Sequence, residues 1–322
     1  MKKTCSLLLA LSLTACATPS QENTPTAEDA KIVIAASFYT LAFLAEQIGG
    51  DAVEVIQVVP NGVEPHDYEP TPQELTAIYK AKILAMNGQG LDPWAEQVAE
   101  ELRRQGVAVI MLTEGANLLP AVEGDHHEED EHEEEQEVED EHGHEEGEFD
   151  PHVWLDPTEM TNVVVRLRDA MIAADPSQAA LFTSHALSAV SSLIALDAEF
   201  RSALTECKQE KIIVSHNAFQ YLARRYGFET IALSGISPDE EPSPKKMAEI
   251  IETVKNDNLK VVFFESLVSP KLAEAVAREA GVQTLVLNPL EGLTAEEEAR
   301  GENYFTVMQQ NVTNLALALE CE

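Results

Sequence analysis

The sequence alternates short apolar runs with longer segments of helical period, and it does so in both halves of the chain. The apolar runs predict strands at residues 32–35, 53–59, 83–86 and 107–112, and again at 211–214, 230–233, 261–264 and 284–287. Helical segments separate these runs, which is the pattern of parallel βα units. We therefore predict an α/β protein with two parallel-sheet lobes.

Between the two series lies a segment without strand signals. Residues 158–173 have helical period, Asp175-Pro176 restarts the chain, and a second helix is predicted from 177 to about 204. A helix of that length extends about 42 Å, so it suits a rigid link between lobes. The predicted domains are a first lobe at 31–175, a linking helix at 176–206 and a second lobe at 207–322.

A strongly acidic tract interrupts the first lobe. The chain has 57 Asp and Glu against 21 Lys and Arg, and residues 123–148 hold 16 of these acids and no Lys or Arg. The tract also holds five histidines, at His126, His127, His132, His142 and His144. Like charges without hydrophobic period predict a disordered insertion at 121–148, which by composition binds metal weakly. The scarcity of clustered cations argues against a nucleic-acid partner.

The N-terminus has the pattern of an export signal. A basic Met1-Lys2-Lys3 start, an apolar stretch and small residues predict a signal peptide at 1–15. Leu13-Thr14-Ala15-Cys16 resembles a bacterial lipobox, which predicts lipidation of Cys16 followed by a flexible tether at 16–30. The expected location is the periplasm or cell surface, anchored to the membrane through Cys16.

Only two cysteines remain in the predicted folded part. Cys207 and Cys321 both fall at predicted helix ends in the second half. In an oxidising compartment they are a possible disulfide, and two free thiols are the alternative.

Four histidines lie outside the tract. His66 and His216 follow predicted strands, and His152 sits between two Asp-Pro pairs. Ligands of open α/β sheets collect beyond the carboxyl ends of the strands, and imidazole is a common ligand of divalent metals. These three are therefore candidate metal ligands, whereas His185 is interpreted as an ordinary residue of the long helix.

Three motifs resemble those of the metal-binding lipoproteins of bacterial ABC importers, in their zinc-uptake branch. They read EPHDYEPTP at residues 64–72, DPHVWLDP at 150–157 and SHNAF at 215–219. The resemblance implies two lobes joined by a long helix, with zinc held between them by His66, His152 and His216. It also implies a monomer that serves a membrane permease with a cytoplasmic ATPase.

The resemblance leaves the fourth ligand open. The family usually has Asp in an Asp-Pro-Leu turn, but this chain has Asn288-Pro289-Leu290. Water, Glu64 or Asn288 is left to complete the shell. Asp156 is a candidate to orient a ligand imidazole, or a helix N-cap. Glu265 is a candidate to tune the site, or a residue that only ends a strand.

The predicted function is extracytoplasmic capture of Zn²⁺ for import, without enzymatic activity. Manganese members of the family have a carboxylate where this chain has His216, and that nitrogen favours zinc over the harder manganese. Manganese or iron is the alternative within the family. A zinc hydrolase with Glu64 or Glu265 as general base is a remote alternative. The sequence lacks the His-Glu-x-x-His spacing of many such enzymes.

Overall fold

The structure is a computed structural model that describes residues 31–121 and 149–322. The predicted signal peptide, Cys16, the tether and the five tract histidines lie outside the described residues. Those expectations therefore stay predictions from sequence.

The first sheet has four parallel strands in the order β2-β1-β3-β4. Its strands are β1 Ile32–Ala36, β2 Val53–Gln57, β3 Ile83–Met86 and β4 Ala108–Met111. Its helices are α1 Tyr39–Gly49, α2 Pro72–Ile78 and α3 Pro93–Arg104. Helix α2 begins with a capping box, because Thr71 and Glu74 each satisfy the backbone N–H of the other.

The second sheet repeats this arrangement in the order β6-β5-β7-β8. Its strands are β5 Lys211–Val214, β6 Glu229–Ala232, β7 Val261–Phe264 and β8 Gln283–Val286. Two helices, α4 Pro157–Ala174 and α5 Ala179–Ala203, precede this sheet in the chain. Its own helices are α6 Gln220–Tyr226, α7 Pro244–Asn256, α8 Lys271–Ala280, α9 Ala295–Ala299 and α10 Tyr304–Ala318. The predicted α/β class with two parallel sheets is confirmed.

Helices α4 (Pro157–Ala174) and α5 (Ala179–Ala203) connect the two sheets. Helix α5 packs against α1, α4 and α10, so it contacts elements of both halves. By length and composition alone the stretch Pro176–Ala203 would suit a membrane span. However, α5 buries Phe182, Leu193 and Phe200 completely in the core, as a linking helix of a folded body does.

The chain end is fastened to the start of the second sheet. Cys207 and Cys321 form a disulfide that closes a segment of 114 residues. The backbone N–H groups of Lys208 and Gln209 also donate to the carbonyl oxygen of Leu319. These contacts lie before β5, at the opposite edge of the sheet from the loops that follow its strands.

Candidate metal centre

Four side chains from separate parts of the sequence meet in one group. They are His66, His152, His216 and Glu291, whose potential ligand atoms all lie within 4.8 Å of one another. His66 lies in the loop after β2, and His152 precedes α4. His216 follows β5 and Glu291 follows β8. Each sheet therefore supplies a residue from beyond the carboxyl end of a strand, where open α/β sheets bind ligands.

The spacing of these atoms fits a tetrahedral metal ion. His152 Nε2 lies 3.3 Å from His66 Nε2 and 3.3 Å from His216 Nε2. Glu291 Oε1 lies 3.4, 3.5 and 3.7 Å from Nε2 of His216, His152 and His66. Zinc bonds of 2.0–2.1 Å in tetrahedral geometry place ligand atoms about 3.3 Å apart. Five of the six distances in the group thus lie near this value, and all six are within 4.8 Å.

Two carboxylates orient the imidazoles of this group. Asp150 Oδ1 accepts from His152 Nδ1 at 2.7 Å, and Glu265 Oε2 accepts from His216 Nδ1 at 2.7 Å. With these protons held on Nδ1, Nε2 is the ring atom left to bind a metal, and the two Nε2 atoms face each other at 3.3 Å. Orientation of this kind by a carboxylate is typical of metal-ligating histidines.

The group is buried and contains one strongly acidic carboxyl. Burial by itself raises the pKa of Glu291, but the imidazoles of His152 and His216 outweigh it and hold that pKa well below its usual value. At His216, burial lowers the pKa, but the Glu265 carboxylate raises it well above the usual value. Glu291 Oε1 has no hydrogen-bond partner among the described residues. A carboxylate oxygen in that state is available to a cation.

Glu64 stands beside the group. Its carboxylate accepts from the His66 backbone N–H at 3.0 Å, and its Oε1 lies 3.9 Å from His66 Nε2. Burial and the negative charge of Glu291 raise the pKa of Glu64 to about 8. Burial therefore favours the protonated form of Glu64, which lies next to the cluster. Glu291 occupies the fourth position.

Asn288 is engaged elsewhere. Its amide donates to Ser266 Oγ and Glu297 Oε1, and its Oδ1 accepts from the Leu290 backbone N–H at 2.8 Å. The side chain therefore shapes the turn after β8 instead of facing the imidazoles. Glu291 lies three residues after Asn288. It follows a predicted strand that ends at the same edge of the sheet as the strand before His216, and this position was its signal in the sequence.

The turn that carries Glu291, in the second half of the chain, is held by contacts from the first half. Trp154 Nε1 donates to the carbonyl oxygen of Pro289 at 2.6 Å, and Thr40 Oγ1 donates to that of Leu290 at 2.7 Å. Leu290 has φ of 59°, a left-handed conformation that a bulky residue rarely adopts. Such a conformation persists where the surrounding structure holds it. Here the strained residue directly precedes Glu291.

Asp156 contacts no imidazole of the group. Its Oδ1 caps α4 by accepting from the Thr158 backbone N–H, and its Oδ2 accepts from Arg225 Nε at 2.6 Å. The residue that orients His152 is Asp150, at the other end of the same motif. His185 also lies apart from the group, because its Nδ1 donates to the Ile48 carbonyl oxygen at 3.1 Å.

The orienting carboxylates give a direct test of the centre. We expect Asp150→Asn and Glu265→Gln each to weaken metal binding roughly 10- to 100-fold, because loss of such a partner releases the ring orientation and lowers the basicity of the ligand. Competition titration with a zinc chelator measures the change. Asp175→Asn is the matched control, since Asp175 caps a helical turn after α4. Equal affinities in all three variants would contradict the assigned orientation.

Comparison with known families agrees with this geometry. Residues 34–318 match the family described as ZnuA, zinc-uptake complex component A, periplasmic. The match covers both sheets, the linking helix and all four members of the group.

Curated relatives include the zinc-binding lipoprotein AdcA of Streptococcus pneumoniae (strain TIGR4), which is 37% identical over 311 residues, or 96% of this chain. The chain spans 58% of the length of that relative. The high-affinity zinc uptake system protein ZnuA of Bacillus subtilis (strain 168) is 35% identical over 97% of this chain and 93% of its own length.

A solved structure has the same fold. The Zn(II)-bound ZnuA-like domain of Streptococcus pneumoniae AdcA superposes with a TM-score of 0.75 at 33% sequence identity. The similarity covers 90% of this chain and all of that domain.

Proposed function

Because the chain belongs to the family of periplasmic zinc-uptake components, we propose that it captures Zn²⁺ outside the cytoplasm and delivers it to the permease of an ABC importer. The observation that carries the proposal is the buried group of His66, His152, His216 and Glu291. Five of the six distances between its potential ligand atoms are close to those around a tetrahedral zinc ion.

The donor set favours zinc over manganese and iron, which are the alternative cargo. Three imidazole nitrogens and one carboxylate oxygen suit borderline-soft Zn²⁺, whereas harder Mn²⁺ prefers oxygen ligands and a larger coordination number. Glu291 adds one oxygen, so nitrogen remains the majority donor.

Burial favours cargo binding over zinc-dependent hydrolysis. Catalytic zinc sites keep a position open for water or substrate, whereas closed sites have four protein ligands. Here four protein groups surround the expected ion, and His152, His216 and Glu291 are 0–1% exposed. A substrate larger than water has no access to such an ion, so we propose a binding protein and no enzyme.

Delivery requires a path across the membrane and energy from nucleotide hydrolysis. The sequence contains no Gly-x-x-x-x-Gly-Lys-Ser/Thr loop for nucleotide hydrolysis. We therefore propose a membrane permease and a cytoplasmic ATPase as partners, with the protein anchored as a monomer through lipidated Cys16. The lipobox-like run Leu13-Thr14-Ala15-Cys16 supports this anchoring.

Metal preference is tested on protein in which a short glycine linker replaces residues 122–148. The metal measured is then bound by the cluster and not by the tract. We expect one Zn²⁺ per chain and no retained Mn²⁺ after exposure to equal concentrations of both, because the cluster is rich in nitrogen. Mass spectrometry of the native protein measures the metal content.

The unaltered chain is the control for this experiment. It should bind additional Zn²⁺ weakly through the five tract histidines. Stoichiometric Mn²⁺ in the shortened protein would contradict the proposed cargo.

A further inference from the structure

The residues on either side of the acidic tract are paired with each other, and we call this paired base the clamp. Pro120 and Phe149 form an antiparallel bridge, and the Asp150 backbone N–H donates to the Leu119 carbonyl oxygen at 2.9 Å. Residues 122–148 run between these two paired ends. The two chain segments at the base of the tract are therefore fixed to each other.

Helix α6, from the second half of the chain, fastens both segments. The hydroxyl of Tyr221 accepts from the Leu119 backbone N–H at 3.1 Å and donates to the Asp150 carbonyl oxygen at 2.7 Å. Arg224 Nη1 donates to the Asn117 carbonyl oxygen at 2.9 Å. Its guanidinium carbon lies 5.2 Å from the centre of the Tyr221 ring, where a cation interacts favourably with the ring face.

The clamped residue is also the one that orients a metal ligand. Asp150 Oδ1 accepts from both the backbone N–H and Nδ1 of His152, at 2.9 and 2.7 Å. The next carbonyl oxygen, of Pro151, accepts from Asn87 Nδ2 at 3.1 Å. The peptide that carries His152 is thus held from the second half by Tyr221 and from the first sheet by Asn87, the residue after β3.

We propose that Tyr221 is a positioning residue of the metal centre. It fixes the main chain of Asp150, and through the Asp150 carboxylate it fixes the ring of His152, so that His152 Nε2 stays 3.3 Å from His66 Nε2 and from His216 Nε2. Tyr221 lies completely buried in the core, so water does not replace its hydroxyl. The inference rests on the proposed zinc cargo and assigns to Tyr221 a role in how tightly that cargo is held.

Tyr221→Phe tests the role because it removes the hydroxyl and keeps the ring. We expect the zinc dissociation constant to rise about 10-fold, the lower end of the range found for groups that bond a ligand directly, because Tyr221 acts through Asp150. The absorption bands of bound Co²⁺ should change in intensity, because they report coordination geometry. Tyr226→Phe is the matched control, since the Tyr226 hydroxyl on the same helix donates to Asp197 Oδ1 and does not contact residues 117–152 in the described structure.

The outcomes separate this inference from the proposed function. Failure of the unaltered protein to bind zinc would refute the function itself. Zinc affinity and Co²⁺ spectrum in Tyr221→Phe equal to those of the unaltered protein would overturn the positioning role, as would equal losses in the two tyrosine variants.

If Tyr221→Phe does not fold, Arg224→Gln loosens the same clamp from its exposed side. We expect it to raise the dissociation constant about threefold, because one charge-assisted hydrogen bond near solvent is lost. No change in that variant would then overturn the inference.

Discussion

Replacing His216 by alanine is expected to lower zinc affinity by about two to three orders of magnitude and to leave the fold intact. Structural zinc sites bind with about 10–16 kcal/mol, which is roughly 2.5–4 kcal/mol for each of four ligands. Since 1.4 kcal/mol corresponds to a factor of ten, this loss converts to about 10²–10³. The substitution also leaves the buried Glu265 carboxylate without the ring that donates to it.

Calorimetric competition with a chelator measures this loss on protein with residues 122–148 replaced by a glycine linker. His185→Ala is the matched control, because His185 is the described histidine outside the cluster. In cells that express the chain with the proposed permease, His216→Ala should also abolish zinc uptake at low external zinc. Unchanged affinity would remove His216 from the centre.

The fold could be predicted largely from sequence, because a buried parallel sheet requires continuous apolar runs. The runs at 211–214 and 261–264 coincide with β5 and β7 to the residue. Helix α9 was missed, since Ala295–Ala299 contains three consecutive glutamates and shows no apolar period. Its local signal is the capping box that Thr294 forms with Glu297, and this pattern alone was too short to predict a helix.

The three motifs correctly predicted the family, and the ligand candidates among them converge. The fourth group was missed because its position depends on tertiary contacts. Asn288 was considered because it stands at the position where the family has Asp. The hydrogen bonds from Trp154 and Thr40 fix the turn after it, and this turn places Glu291, three residues later, beside the imidazoles. No spacing rule in the sequence encodes that path.

The choice between the two aspartates of the second motif had a similar cause. Asp150 and Asp156 both flank His152, and sequence distance does not decide which reaches the ring. Asp150 accepts from the backbone N–H two residues ahead, which folds its carboxylate back onto the imidazole. Asp156 begins α4 before Pro157, where an N-cap is favoured, and its second oxygen pairs with Arg225.

Reduction of the Cys207–Cys321 disulfide is expected to lower the free energy of unfolding by about 4–5 kcal/mol. The bond closes 114 residues, and in the chain-entropy description a loop of about that size restricts the unfolded chain by about 4.7 kcal/mol. Zinc affinity should change little, because Cys207 precedes β5 whereas His216 follows it. Urea unfolding with a metal chelator, with and without a thiol reductant, measures the loss.

A double Cys207→Ser, Cys321→Ser variant is the control, and its stability should not respond to reductant. Zinc should offset much of the loss, because a ligand at a thousand times its dissociation constant stabilises the folded state by about 4.1 kcal/mol. The two effects should add, since the disulfide and the cluster occupy opposite edges of the sheet and share no partner among the described residues. A large fall in zinc affinity on reduction would instead show that the C-terminal fastening is coupled to the centre.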